Sequence, residues 1–250
     1  MQNFSSDNKT SPEIIFPLMA DQLTSQSYAN TTYLVNGNMN SETMPIGLFG
    51  AADGWGGHRA TKAWYGLFGD LGTSSDARAQ LFWTAGHSYE MDDYKTWNNG
   101  YPSTKFRNTS FAGVSASPNT FSSTDFPMFR LADAYLIYAE CVLRGGSGGT
   151  TSQALAYVNA IRSRANATPI ISADLILDYI LDERGRELNF EGHRRTDLIR
   201  FGKFTGGSYV WPWKGNNVNG ASIPDTYNLF PLPLQALDSN PNLVQNPGFN

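Results

Sequence analysis

The chain has 250 residues, enough to bury a substantial core. Only 16% of them are charged while Asn, Ser and Thr together number 62, so the surface is polar without being strongly charged. A net charge of −4 argues against a nucleic-acid footprint, no apolar run reaches the roughly 20 residues of a membrane helix, and the single cysteine, Cys141, excludes an internal disulfide.

Strands and loops are expected over residues 1–57. Glu13-Ile-Ile-Phe-Pro-Leu reads as a short buried strand and Thr31-Thr-Tyr-Leu-Val as another, ended by Asn36-Gly. Asp53-Gly-Trp-Gly-Gly makes a glycine-rich turn with a Trp at its tip. The spacing of Ala60, Ala63, Trp64, Leu67 and Phe68 predicts a helix over His58–Phe68, and a shorter one runs from Asp76 to Trp83. Residues 84–126 lack helical periodicity and read as loops, with Thr104–Asn108 a candidate strand.

The pattern changes at 127. Pro127 suits the first turn of a helix, and Leu131, Tyr135, Tyr138 and Val142 then place an apolar stripe on a helix over Leu131–Leu143. Cys141 lies within it and reads as a buried thiol, since no basic partner is visible to activate it. Gly145-Gly-Ser-Gly-Gly ends that helix; it lacks the Lys-Ser/Thr of a phosphate loop. Thr151 is the expected cap of the next helix, whose face is Ala154, Val158, Ile161 and Ala165. The two make a helical hairpin like one tetratricopeptide unit, which cannot bury its face without neighbours. A third helix is expected from a Ser172 cap to about Phe190, and a shorter one over His193–Phe201. The tail, 203–250, is rich in Gly, Asn and Pro and reads as extended and turn segments lying over the helices, with Tyr209, Trp211 and Trp213 alternating on one packing face.

Catalytic chemistry finds little support. Asp182, Glu183, Glu187, Glu191 and Asp197 cluster, and two carboxylates about 5–10 Å apart would suit a glycosidase. Arg184, Arg186, Arg194, Arg195 and Arg200 interleave with them, however, so the pattern reads as an ion-pair lattice, with a hydrolase using Asp182–Asp197 the less favoured reading. His58, His87 and His193 are scattered without metal-ligand spacing. Tyr28 and Trp55 stand in polar, glycine-bearing loops. Two readings are open for them: core or hinge packing, or a platform on which the apolar faces of sugar rings stack. Arranged in order, the expectation is a mainly α fold with long loops and a few short strands. A loop-rich ligand-binding region (1–126), a helical region (127–202) and an extended tail (203–250) would together form one unit.

Three motifs carry a family resemblance. Phe129-Arg-Leu-Ala-Asp-Ala-Tyr-Leu-Ile-Tyr-Ala-Glu, the stretch Asp182-Glu-Arg-Gly-Arg-Glu-Leu-Asn-Phe-Glu-Gly-His-Arg-Arg-Thr-Asp-Leu-Ile-Arg-Phe-Gly, and the ending Leu229-Phe-Pro-Leu-Pro with Asn240-Pro-Asn-Leu-Val-Gln-Asn-Pro resemble the SusD/RagB family in that order. Ser27-Tyr-Ala-Asn-Thr-Thr-Tyr-Leu-Val, Asp53-Gly-Trp and Tyr209-Val-Trp-Pro-Trp-Lys-Gly are most similar to its starch-binding type. The resemblance covers only the C-terminal half of that family. It implies a fragment whose N-terminal half, with its lipoprotein signal and most of the tetratricopeptide helices, lies elsewhere. Met1-Gln-Asn-Phe shows no leader, which by itself points to the cytoplasm. The resemblance implies instead a lipid-anchored, non-enzymatic outer-membrane protein that captures starch-like oligosaccharides for a SusC-type TonB-dependent transporter. By the same resemblance Tyr28 and Trp55 belong to an aromatic arc that cradles the glucan. The starch-binding type can also hold calcium; Asp7 and Asp125 occupy places similar to its acidic ligands, whereas Ser123 departs from an acidic position. A docking module without a sugar site is the rival reading.

Overall fold

The computed structural model describes residues 2–249, which divide into two compact units, 2–193 and 194–249. The first carries strands β1 (Ile14–Leu18) and β2 (Phe126–Arg130) and helices α1 (Asn30–Gly37), α2 (Lys62–Tyr65), α3 (Leu131–Leu143), α4 (Thr151–Arg164) and α5 (Leu177–Glu187). The second holds α6 (Arg194–Arg200) and α7 (Leu234–Ser239). Helix dominates the regular structure, and one two-stranded antiparallel sheet is present among the described residues.

The helical hairpin follows its sequence pattern. Ala154, Val158, Ile161 and Ala165 are all buried, and α4 packs on α3 with the Tyr135 and Tyr157 rings stacked at 4.1 Å. Thr150, one residue before the expected cap, accepts a hydrogen bond from Gln153 N at 3.1 Å. The buried face of α3 is Ala132, Asp133, Leu136, Ala139 and Glu140, turned from the expected stripe because the aromatic stripe packs at the half-buried seam with α4. Cys141 is exposed for the same reason: it stands on the outer side of that helix.

Elsewhere tertiary contacts override local pattern. Residues 31–35 are helical, not a strand. Their β-branched run favours extended backbone only weakly, and the Thr31 and Thr32 hydroxyls fix the helix by bonding Thr124 O and Ser122 N at 2.5 and 2.9 Å. Strand β1 forms as expected but is not buried. It pairs only with β2, which leaves Ile15, Phe16 and Leu18 more than half exposed. Pro127 lies within β2 and not in a helix, where a two-stranded sheet tolerates its missing donor. The expected helix at 58–68 shortens to α2 and a 3-10 turn, Gly66–Phe68, and Asp76 caps only a 3-10 turn, Ala77–Leu81. Residues 104–108 form no strand; isolated bridges join Phe82 to Ser103 and Thr109 to Ser115. The third helix begins at Leu177, after a separate 3-10 turn at Ser172–Asp174. The tail contains one short helix, α7, opened by Pro233, whose fixed φ suits a helix start.

The loop-rich part of the first unit has cores of its own. Phe4, Val35, Met39, Met44, Phe49, Ala51, Trp97 and Phe106 make one; Ala60, Tyr65, Phe68, Ala79, Phe82 and Tyr101 make another. Buried polar side chains complete the loops that ring them. Asn8 pairs with both backbone groups of Asp125, donating at 2.8 Å and accepting at 3.0 Å. Buried backbone polar groups need such partners where no ladder supplies them.

Candidate glycan-binding face

Two loops flanking α1 carry the aromatic residues singled out in the sequence. Tyr28 stands just before the helix and is 60% exposed; Trp55 stands after it and is 39% exposed. The fold brings the two rings to a centroid separation of 6.1 Å at 55°. Two further rings join them. Phe121, half-buried, lies 5.0 Å from Tyr28, and Tyr33, on the outer side of α1, lies 6.3 Å from Trp55. Phe121 sits in a Ser/Thr-rich loop and Tyr33 in a segment that reads as a strand, so neither carried a local signal.

The Trp55 loop is held by backbone bonds to the end of α1. Trp55 N donates to Asn36 O at 2.9 Å, Gly56 N to Met39 O at 2.9 Å, and His58 N to Gly37 O at 2.7 Å. Such proximity requires glycine at 54, where a Cβ would stand 2.7 Å from Asn40 Cα and 2.8 Å from Met39 O. The Arg59 guanidinium ties down the other flank. It donates to the carbonyls of Gly56, Gly57, Tyr94, Thr96 and Asn99 and lies over the Trp97 ring. The indole itself is oriented by Asp53, whose Oδ2 accepts from Trp55 Nε1 at 3.2 Å while its Oδ1 accepts from Gly54 N at 2.8 Å. Burial, reinforced by nearby Arg59, depresses the pKa of His58 below the ordinary histidine value. The imidazole beside Tyr33 is therefore neutral at pH 7. The result is an open aromatic surface with few charges, suited to stacking apolar faces.

The clustered carboxylates of 182–197 are placed differently. Glu187 lies 2.9 Å from Arg78 and 2.7 Å from Arg130, and also meets Arg164. Glu183 lies 2.8 to 2.9 Å from Arg78, Arg162 and Arg186. Glu191 pairs with Arg130 at 2.5 Å and with Lys105. All three acids are buried, and most of their partners come from distant segments, which local spacing does not reveal. Burial alone would raise the Glu187 pKa; Arg130, Arg164 and Arg78 outweigh it and hold the carboxyl well below the usual range. A general acid needs the opposite shift. Burial lowers the Lys105 pKa to about 8 despite Glu191. Asp197, in the second unit, pairs with Arg200 at 2.8 Å. A cavity of about 310 Å³ borders the Arg78, Lys105 and Glu187 network, and neither Tyr28 nor Trp55 lines it.

Asp7 and Asp125 each use one carboxylate oxygen to accept a backbone N–H from a segment distant in sequence. Phe111 N donates to Asp7 Oδ1 and Ala20 N to Asp125 Oδ1, both at 2.9 Å. Among the described residues no group of three or more His, Cys, Asp or Glu side chains gathers as a metal site. No described helix is long and apolar enough to cross a membrane.

Known proteins resemble this chain in sequence and fold. A profile of the SusD family matches residues 77–249. The starch-binding protein SusD of Bacteroides thetaiotaomicron is 30% identical over 279 residues, covering 95% of this chain and 49% of that protein. SusD-like protein P25 of Formosa agariphila is 34% identical over 145 residues, 55% of this chain and 26% of that protein. The chain thus spans about half the length of the first of these relatives and a smaller share of the second. Among solved structures, a SusD superfamily protein from Bacteroides vulgatus superposes with a TM-score of 0.69 at 23% identity, over 99% of this chain and 48% of the other. Surface glycan-binding protein A from Bacteroides thetaiotaomicron, in complex with laminarihexaose, gives 0.68 at 23% identity, over 98% and 55%.

Proposed function

Because the chain belongs to the SusD family, we propose that it binds starch-like α-glucan oligosaccharides and takes part in delivering them to a SusC-type TonB-dependent transporter at the outer membrane. The observation that carries this reading is the pairing of Tyr28 and Trp55 on an exposed face, in a chain related along most of its length to a starch-binding protein. Sugar rings present apolar C–H faces that stack on aromatic rings, while their hydroxyls exchange hydrogen bonds with water for bonds to the surrounding polar loops. That exchange is nearly balanced, so affinity is modest and rests on the stacked area and on preorganisation. Few charges border the face, so binding is insensitive to salt.

The protein acts as a binder and not as a hydrolase in this reading. The paired state of Glu183, Glu187 and Glu191 supports it, since each carboxylate is committed to cations. Calcium at Asp7 and Asp125 would require six to eight oxygen ligands. The two carboxylates do not supply that set by themselves, and the proposed mechanism runs without the ion. Electrophoresis through a gel containing soluble starch tests the reading. The chain should be retarded while Trp55→Ala migrates freely, and incubation with maltoheptaose should release no new reducing ends. Equal migration of both proteins would refute binding at this face.

A further inference from the structure

Helix α1 turns Thr31, Thr32, Val35 and Asn36 into the core and leaves Tyr33 outside, 52% exposed. The side chain has no core to fill, yet its ring is held in place. His58 meets it edge-on at 4.5 Å and 69°. His58 in turn is seated over Gly37, where a Cβ would come within 2.5 Å of the imidazole. The absence of a side chain at Gly37 therefore makes room for His58, and His58 backs the Tyr33 ring. Trp55 is the shared neighbour of Tyr33 and Tyr28, at 6.3 and 6.1 Å.

The ring orientations add a second observation. From Phe121 to Tyr28, Tyr28 to Trp55, and Trp55 to Tyr33 the interplanar angles are 58°, 55° and 53°. Two adjacent rings so inclined cannot both lie against one flat sugar face, so each further ring calls for a further sugar residue.

We propose that Tyr33 is a third stacking face of the same surface, extending it beyond the Tyr28 and Trp55 pair and favouring oligosaccharides long enough to reach it. The proposal rests on the glycan-binding reading above and adds to it a residue and a length preference. Its test is calorimetric titration of the chain, Tyr33→Ala, Tyr33→Phe and Trp55→Ala with maltotriose and maltoheptaose, with thermal melting as the folding control. Tyr33→Ala should weaken maltoheptaose binding about three- to tenfold, leave maltotriose binding unchanged, and melt with the parent protein. Tyr33→Phe, which keeps the ring face, should bind both sugars like the parent. Parent-like binding of maltoheptaose by Tyr33→Ala, while Trp55→Ala loses it, would overturn the role of Tyr33 and leave the glycan-binding reading intact. Equal weakening for both sugars would make Tyr33 a support for Trp55 and overturn the extension. Binding of neither sugar by the parent would overturn the underlying reading itself.

Discussion

Tyr28 and Trp55, carried by separate loops on either side of one short helix, meet with their rings 6.1 Å apart and both exposed. A core contact would have buried them; here both rings keep open surface although they touch each other and, respectively, Phe121 and Tyr33. Few interface residues carry most of a binding energy, and buried aromatic anchors are prominent among them. Trp55→Ala should therefore reduce maltoheptaose affinity by about thirtyfold or more. Tyr28→Ala should act in the same direction. Circular dichroism should show both variants folded.

Asp53 is expected to act through Trp55. Its Oδ2 receives the indole N–H and its Oδ1 the Gly54 N–H, so one carboxylate sets both the loop and the ring. Asp53→Asn keeps the size and can keep one of the two bonds. It should weaken glucan binding several-fold, less than Trp55→Ala, and broaden or shift the Trp55 fluorescence as the ring loses its anchor. A binding constant unchanged from the parent would remove Asp53 from the account.

Gly54→Ala tests the close approach of the loop to the end of α1. The added methyl would meet backbone atoms of Met39 and Asn40 inside 3.0 Å, and neither can swing aside as a flexible side chain would. The expected cost is about 1–3 kcal/mol in urea unfolding. Binding should weaken as well, since the Trp55 turn must move.

The buried ion cluster predicts an acid-sensitive fold. Glu187 has an ordinary pKa of 4.5 and a lower one in the fold, where its arginines outweigh burial. The unfolded chain therefore takes up the proton first on acidification. The contribution of Glu187 to stability is fully present above about pH 4.5 and is lost as the pH falls through the lowered value. Glu13, lowered by Arg130 and Arg164 against its own burial, adds in the same sense. Glu187→Gln leaves Arg130 and Arg78 short of a partner and should cost about 3–5 kcal/mol at pH 7. The gap between the variant and the parent should narrow toward pH 3. The platform lies elsewhere on the first unit, so folded Glu187→Gln should bind glucan as the parent does.

Much of this was legible where a single local signal decided the outcome. The face of α4 was readable because Ala154, Val158, Ile161 and Ala165 repeat at helical spacing and nothing competes with it. Tyr28 and Trp55 stood out because a loop Trp between glycines has little local reason to exist. Tyr33 was hidden for the opposite reason: Thr31-Thr-Tyr-Leu-Val has the composition of a strand, and only bonds from Thr31 and Thr32 to the 122–124 segment make it a helix. The acids of 182–191 announced ion pairing, and Glu183 with Arg186 follows the expected i, i+3 geometry. The remaining partners, Arg78, Arg130, Arg162, Arg164 and Lys105, are contributed by long-range contacts that no spacing within the motif encodes. The exposure of Cys141 and of β1 went unread because burial depends on which neighbours an element acquires.

The most direct test of the central claim is isothermal titration of the chain and of Trp55→Ala with maltoheptaose and with a linear β-1,4-glucan of equal length. The account predicts heat of binding for the α-glucan with the parent chain, none for the β-1,4-glucan, and loss of the α-glucan signal in Trp55→Ala. Undiminished α-glucan binding by Trp55→Ala, or preference for the flat β-1,4 chain, would contradict it.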